Sequence, residues 1–316
     1  MIGWEHSDQF QLHVLEKPEQ MTWVENLQRK IWSGDDTEIV PGHLLLTAVH
    51  NGGLVIGAFQ LDQKKPTKGW FEECEYLEKN LVGFVFSFPG FQLSHGKNRL
   101  KHCSHLLAVL PDYQNYGIGF ALKRAQWQMV RHQNIDWITW TFDPLLSRNA
   151  HLNIHRLGAV CNTYLPNYYG ELNDGLNKGQ QTDRFQVDWW LNSARVERRL
   201  SRKPRTKLDL AHYIAANVKI LNPTQLNDDN LPEATSFSSA QLHPFAGHDQ
   251  ILLVEIPADF QMLKAIDPKL GRTWREHSHE IFSILFSTGY VITDFIYLPG
   301  SYPRSFYVLS YGESIL

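Results

Sequence analysis

From Val109 to Gly119 the chain reads Val109-Leu110-Pro111-Asp112-Tyr113-Gln114-Asn115-Tyr116-Gly117-Ile118-Gly119, a spacing of polar groups and glycines suited to holding an anion. The apolar run Leu106 to Leu110 reads as the end of a buried strand, and the amphipathic stretch Tyr116 to Gln133 reads as a helix. At such a junction the first helical turn offers N–H groups with no partner inside the helix, and the helix dipole favours negative charge. Gly117 and Gly119 lack a Cβ, so the main chain can come close to phosphate oxygens. A pyrophosphate is an anion of the right kind for this loop.

Two other phosphate loops are excluded. Gly-x-Gly-x-x-Gly would need glycine at position 122, which is Leu122, and the Gly-Lys-Ser/Thr of a P-loop is absent. What remains is Gln-x-x-Gly-x-Gly after a strand ending in Val-x-Pro. This resembles the coenzyme A loop of the GNAT acyltransferase superfamily, and the likeness covers about residues 8 to 195. The resemblance implies a mixed central sheet whose strands splay beside the loop and leave a slot for the pantetheine arm. It implies that main-chain groups of Leu107, Ala108, Val109 and Leu110 bond the pantetheine amides. It implies that the N–H groups of Gln114, Asn115, Tyr116, Gly117, Ile118 and Gly119 bind the pyrophosphate, with the Gln114 side chain helping to orient it. Arg124 or Lys123 would reach the outer phosphates, and Asn149 would contact the pantetheine or thiol region. The implied co-substrate is an acyl-CoA, most often acetyl-CoA, and no metal is expected.

Acyl transfer from a thioester needs a polarised carbonyl, an acceptor amine that loses a proton, and both partners held in line. His105 and His102, near the start of the strand before the loop, can take the amine proton. Asp143, at the end of the next strand, can bind an ammonium, act as base, or simply begin the turn at Pro144. Many members of the superfamily place a tyrosine where this chain has Ile154, so the acid that protonates the thiolate must come from elsewhere. Tyr164, Tyr168 and Tyr169 are the nearby candidates, with Tyr164 the first choice. Asn149 and Asn153, four apart, would share one helix face. Arg184 suits a substrate carboxylate or a solvated loop. His277 and His279 are two apart on an expected helix and make a poor metal pair.

The elements that must position these groups follow from periodicity. A strand is expected at Gln11 to Leu15 and a helix from Pro18 to Trp32. Leu44 to Val49 and Leu54 to Phe59 flank Asn51-Gly52-Gly53 and read as a hairpin. Leu81 to Phe88 reads as a strand ended by Pro89-Gly90, and Ile135 to Phe142 as another. On the loop helix Ile118, Ala121, Leu122, Ala125 and Met129 form the apolar stripe, with Lys123, Arg124 and Gln126 facing elsewhere. A short helix from Ser147 to Leu157 stops at Gly158, and Val187 to Leu191 is a strand. Further on, a strand over Ile251 to Ile256, helices over Phe260 to Ile266 and Lys269 to Ser287, and strands over Tyr290 to Leu298 and Phe306 to Ser310 make a small unit.

The expected fold class is therefore α+β (α/β), a GNAT-like mixed central sheet flanked by helices plus a small C-terminal α+β unit. The expected partition is 1–197 for the acyltransferase-like domain, 198–249 for a polar connector, and 250–316 for the C-terminal unit. At 316 residues with 43% hydrophobic content, the chain can build a sizeable core. A net charge of −3 gives no general pull toward nucleic acid or an anionic membrane. Seven basic residues lie between Arg195 and Lys207 without interleaved aromatics, so a solvated connector is the first reading and nucleic-acid binding the lesser one. Cys74, Cys103 and Cys161 are scattered and odd in number, which fits reduced thiols and a cytoplasmic setting. No apolar run reaches the length of a membrane span. The expected activity is acyl-CoA-dependent N-acyl transfer to the amine of a small metabolite, by direct transfer, and a homodimer is compatible with the chain. The competing reading is a non-catalytic acyl-CoA sensor or interaction protein.

Overall fold

A computed structural model of the protein describes residues 9–32, 39–61, 78–94, 97–170, 182–201, 208–235 and 251–312. Cys74 and the basic residues Arg202, Lys203, Arg205 and Lys207 lie outside them. The fold is α+β, and its described residues fall into two compact units, one up to Trp140 and one from Thr141 onward. The partition expected from the sequence cuts the chain elsewhere, at 197.

The first unit has a mostly antiparallel sheet. Strands β1 (Phe10–Val14), β2 (Leu54–Gln60), β3 (Leu81–Ser94) and β4 (Lys97–Val109) pair in that order, each antiparallel to the next. β5 (Trp137–Phe142) joins β4 in parallel, through His102 with Ile138 and Cys103 with Thr139. Helices α1 (Pro18–Ile31) and α2 (Gly42–His50) bury Met21, Val24, Leu27 and Leu45 against Phe84, Phe86 and Ala108 on one face. Helix α3 (Ile118–His132) covers the other face with Ile118, Leu122 and Ala125 against Ile56, Val82 and Val85. Burying those rows on both faces supplies the main stabilisation of the layers.

Two expectations fail here. Leu44 to Val49 is helix α2, not a hairpin strand. The Asn51-Gly52-Gly53 turn closes that helix instead, with Gly53 N–H donating to the Ala48 carbonyl at 2.8 Å and Gly52 at φ +86°. Pro89-Gly90 does not end β3 either. β2 stops at its Leu54–Ser87 pair, and β3 runs on with β4 as a two-stranded arm, where an edge proline loses no ladder bond.

The second unit orders its strands β7 (Arg184–Trp190), β6 (Val160–Leu165), β12 (Tyr290–Leu298), β13 (Arg304–Tyr311), β11 (Ile251–Pro257) and β8 (Lys219–Ile220). β9 (Thr224–Leu226) and β10 (Pro232–Ala234) pair separately. Its helices are α4 (Ser147–Ala150), α5 (Ala194–Leu200), α6 (Leu210–Ala215), α7 (Phe260–Ile266) and α8 (Pro268–Ser287). Phe185, fully buried, sits edge-on to Phe282 and Tyr307 at 4.8 and 5.5 Å between ring centres. β6, which was not expected, links the segment after α4 to β12 through Cys161 and Ile292. Residues 251–312 thus share a core with residues 141–200.

Candidate functional site

The ladder between β4 and β5 ends at Cys103 and Thr139, although β4 continues to Val109. Along β4, Leu110 N–H donates to the Val82 carbonyl at 2.8 Å, and Ala108 pairs with Phe84. Antiparallel pairing alternates, so the main-chain groups of Leu107 and Val109 turn away from β3, toward the side where β5 has left. The Val109 carbonyl accepts from Gln114 Nε2 at 3.2 Å on that side. Of the four strand residues expected to meet a pantetheine arm, Leu107 and Val109 offer their main chain, while Ala108 and Leu110 are engaged by β3.

A bulge interrupts β4 one residue past the fork. The register passes from Leu106 opposite Phe86 to Ser104 opposite Ser87, which leaves His105 as the extra residue. The shift turns Ser104 toward α3, on the same face as Leu107 and Val109. The exposed His105 ring lies against Phe86 and Phe88, 6.0 and 6.1 Å between centres, and partial loss of water pushes its pKa below the usual histidine value.

The loop itself is a single turn, Pro111–Tyr113, followed by Gln114 in extended conformation and Asn115 at φ +72°. Gly117 is the N-cap of α3 at φ +78° and ψ 4°, a left-handed conformation that glycine adopts without penalty. A Cβ placed there would meet nothing within 4 Å, so the cap faces open space. With no side chain to cap the helix, and its first bond running from Ala121 N–H to the Gly117 carbonyl, Ile118 and Gly119 N–H have no acceptor within α3. Tyr113 braces the loop by donating to Gln60 Oε1 at 2.6 Å, and Phe10 packs on both Tyr113 and Tyr116. The loop can thus present Gly117, Ile118 and Gly119 amides to an anion. The Gln114 side chain is turned back onto the strand. Asn115 and Tyr116 are exposed, and Arg124 is half-buried on α3.

Other candidates take structural roles. Lys123 is buried, not poised over phosphates: its Nζ lies 3.0 Å from Ser104 Oγ and 2.8 Å from Gln126 Oε1. The sheet covers a wider arc of α3 than the apolar stripe alone, and so takes in both Lys123 and Gln126. His102 is a core histidine between Ser87 Oγ (3.1 Å) and Gln133 Oε1 (2.7 Å), with its pKa pushed down to about 4 by burial. Asp143 is not available as a base. Its two oxygens accept from Arg275 at 2.7 Å each, and Oδ1 also accepts from Leu145 N–H, which makes the turn. Tyr164 donates to Asp183 Oδ2 at 2.7 Å, and burial holds its phenol far above the ordinary value, which suits it poorly to protonating a thiolate. Asn149 and Asn153 do not share a face as expected. After the single turn of α4 the chain continues as a π-helix over His151–Arg156, whose wider turn leaves Asn153 buried and Asn149 half-buried.

Arg184 is buried rather than solvated, donating to the Asp183 carbonyl and lying 5.3 Å from the Tyr169 ring centre. In the basic run, Arg199 bonds Asp294 and the His155 carbonyl, and Arg195 bonds the Gly158 carbonyl, so the described part is built into the second unit. Among the described residues no three metal-type side chains gather, and no helix is long and apolar enough to cross a membrane. The sequence reading missed Ser104, Gln126 and the bulge. The polar pair Ser104-His105 inside an apolar strand was the one sign of them.

No protein-family model matches the chain, and no curated protein matches it. Among solved structures it is similar to NAA60 of Arabidopsis thaliana in complex with acetyl-CoA, at 14% identity over 57% of this chain and 99% of that one, with a TM-score of 0.42. It is similar to an aminoglycoside 6'-acetyltransferase type Ii, at 15% identity over 62% and 99%, with a TM-score of 0.40. It is also similar to the spermidine/spermine N-acetyltransferase SpeG of Vibrio cholerae, at 16% identity over 58% and 95%, with a TM-score of 0.39.

Proposed function

We propose that this protein is an acyl-CoA-dependent N-acyltransferase of the GNAT type, with acetyl-CoA the leading donor and the amine of a small metabolite the acceptor. The observation that carries the reading is the open, left-handed Gly117 cap, set at the end of a strand that has parted from its neighbour. In this reading the Gly117, Ile118 and Gly119 amides hold the pyrophosphate, with Gln114, Asn115 and Tyr116 completing the loop and Arg124 near the outer phosphates. Leu107 and Val109 supply main-chain partners for the pantetheine amides. The bulge at His105 supplies a main-chain N–H outside the regular ladder, suited to polarising a thioester carbonyl. The His105 imidazole takes the amine proton directly or through water. Asp143 and Tyr164 have no chemical part. Because a thioester is already activated, the amine attacks it directly.

The test is binding. Acetyl-CoA should raise the thermal midpoint of the intact protein, and Gly117→Val should abolish that rise. The valine adds a branched Cβ to a φ of +78°, which costs on the order of 1–2 kcal/mol, and fills the space an anion would take. A wild-type protein whose midpoint does not move at millimolar acetyl-CoA would end the proposal.

A further inference from the structure

Where β4 and β5 part, a buried serine and a buried lysine face each other. Ser104 follows the last ladder residue of β4, is 6% exposed, and points at α3. Lys123 comes from the second turn of α3, is 1% exposed, and brings Nζ to 3.0 Å from Ser104 Oγ. Gln126 aligns the pair. Its Oε1 accepts from Lys123 Nζ at 2.8 Å and from Ser104 Oγ at 3.2 Å, and its Nε2 lies 3.1 Å from Ser104 Oγ. The face of Trp140 lies 3.6 Å from Nζ.

We infer that Ser104 and Lys123 form a nucleophile–base pair that takes the acyl group from acyl-CoA when no amine is bound, giving the protein a second, hydrolytic activity. The inference rests on the acyl-CoA reading above and adds a covalent route to it. Ser104 Oγ loses its proton to Lys123 Nζ and forms a bond to the acyl carbon. The carbon–sulfur bond breaks, and the proton on Lys123 passes to the departing thiolate, which leaves as the free thiol. Water then attacks the serine ester with Lys123 again taking the proton, the carbon–oxygen bond breaks, Ser104 regains its proton, and the carboxylic acid is released.

Two features of the surroundings serve each half of the lysine's cycle. Burial favours the uncharged amine that must accept the proton, and it pushes the Lys123 pKa well below its ordinary value. The Trp140 face then attracts the ammonium once it forms, at the moment charge develops.

Intact-mass measurement on the full chain mixed with acetyl-CoA, without any amine, tests this. One acetyl group should appear on the peptide that holds Ser104, labile to alkaline hydroxylamine as an ester is. Thiol should be released steadily, and Ser104→Ala should lack the adduct. Lys123→Met should acylate about 10²-fold more slowly. Circular dichroism and the acetyl-CoA thermal shift establish that both variants fold and bind. A wild-type protein that binds acetyl-CoA but carries no adduct overturns the inference and leaves the transfer reading intact. So does an adduct that resists hydroxylamine on Lys123, or hydrolysis unchanged in Ser104→Ala. A wild-type protein that binds no acetyl-CoA overturns both.

Discussion

Two histidines three positions apart on β4 have opposite chemistry, and the surroundings of each ring decide which. His105 projects from the bulge onto two phenyl rings and keeps contact with water. Its lowered pKa keeps the imidazole neutral, and so able to accept a proton, to a lower pH than usual. The acid limb of the rate–pH profile is expected below pH 6.5, and His105→Gln should lose that limb together with about 10²-fold or more in rate. His102 is sealed between Ser87 and Gln133 and is neutral in the folded chain. Unfolding returns it from about 4 to its ordinary 6.5. The unfolded state therefore binds the extra proton. The stability this gives is complete above pH 6.5, is lost as pH falls through about 4, and amounts to roughly 3 kcal/mol. Denaturant titrations at pH 7 and pH 4.5 should show a larger loss for the wild type than for His102→Gln. Both residues were visible in the sequence as titratable groups. What could not be read there was the bulge, because a register shift depends on the partner strand.

Single elements show why some segments were legible and others were not. The loop and α3 were, because strand, turn glycines and amphipathic helix are local signals that agree with one another. The run Leu44 to Val49 was not. A short apolar stretch fits a strand and a helix equally, and a glycine pair with positive φ can close either. Lys123 and Gln126 were misplaced since a periodic stripe shows where a helix is apolar and not how wide a sheet covers it. Asp143 was read as the start of a turn or a catalytic group, and its tie to Arg275, 132 residues away, leaves no local trace. That tie fixes the turn after β5 to α8 with both charges buried. Asp143→Ala leaves the guanidinium without its carboxylate and should lower unfolding free energy by about 3–5 kcal/mol, read from the urea midpoint.

At the scale of the whole molecule, element order suggested a self-contained domain ending at 197 and a small appended unit. The packing crosses that line. Phe185 is enclosed by rings from α8 and β13, and Arg199 on α5 grips Asp294 on β12 at 2.7 Å. Hydrophobic periodicity within a segment does not say which distant segment will cover it, so this sharing was beyond reach of the sequence. A fragment of residues 1–197 should therefore bind a dye for exposed apolar surface through its segment after Thr141, whose covering rings on α8 and β13 are gone, while the full chain does not. The extra residue in β4 carries a consequence for descent. Loss of the one codon between Ser104 and Leu106 would make the strand regular and keep Ser104 opposite Ser87 and Leu106 opposite Phe86, with every other side chain on its present face. Lineages of this chain should therefore tolerate that deletion in the fold, and lose the imidazole with it.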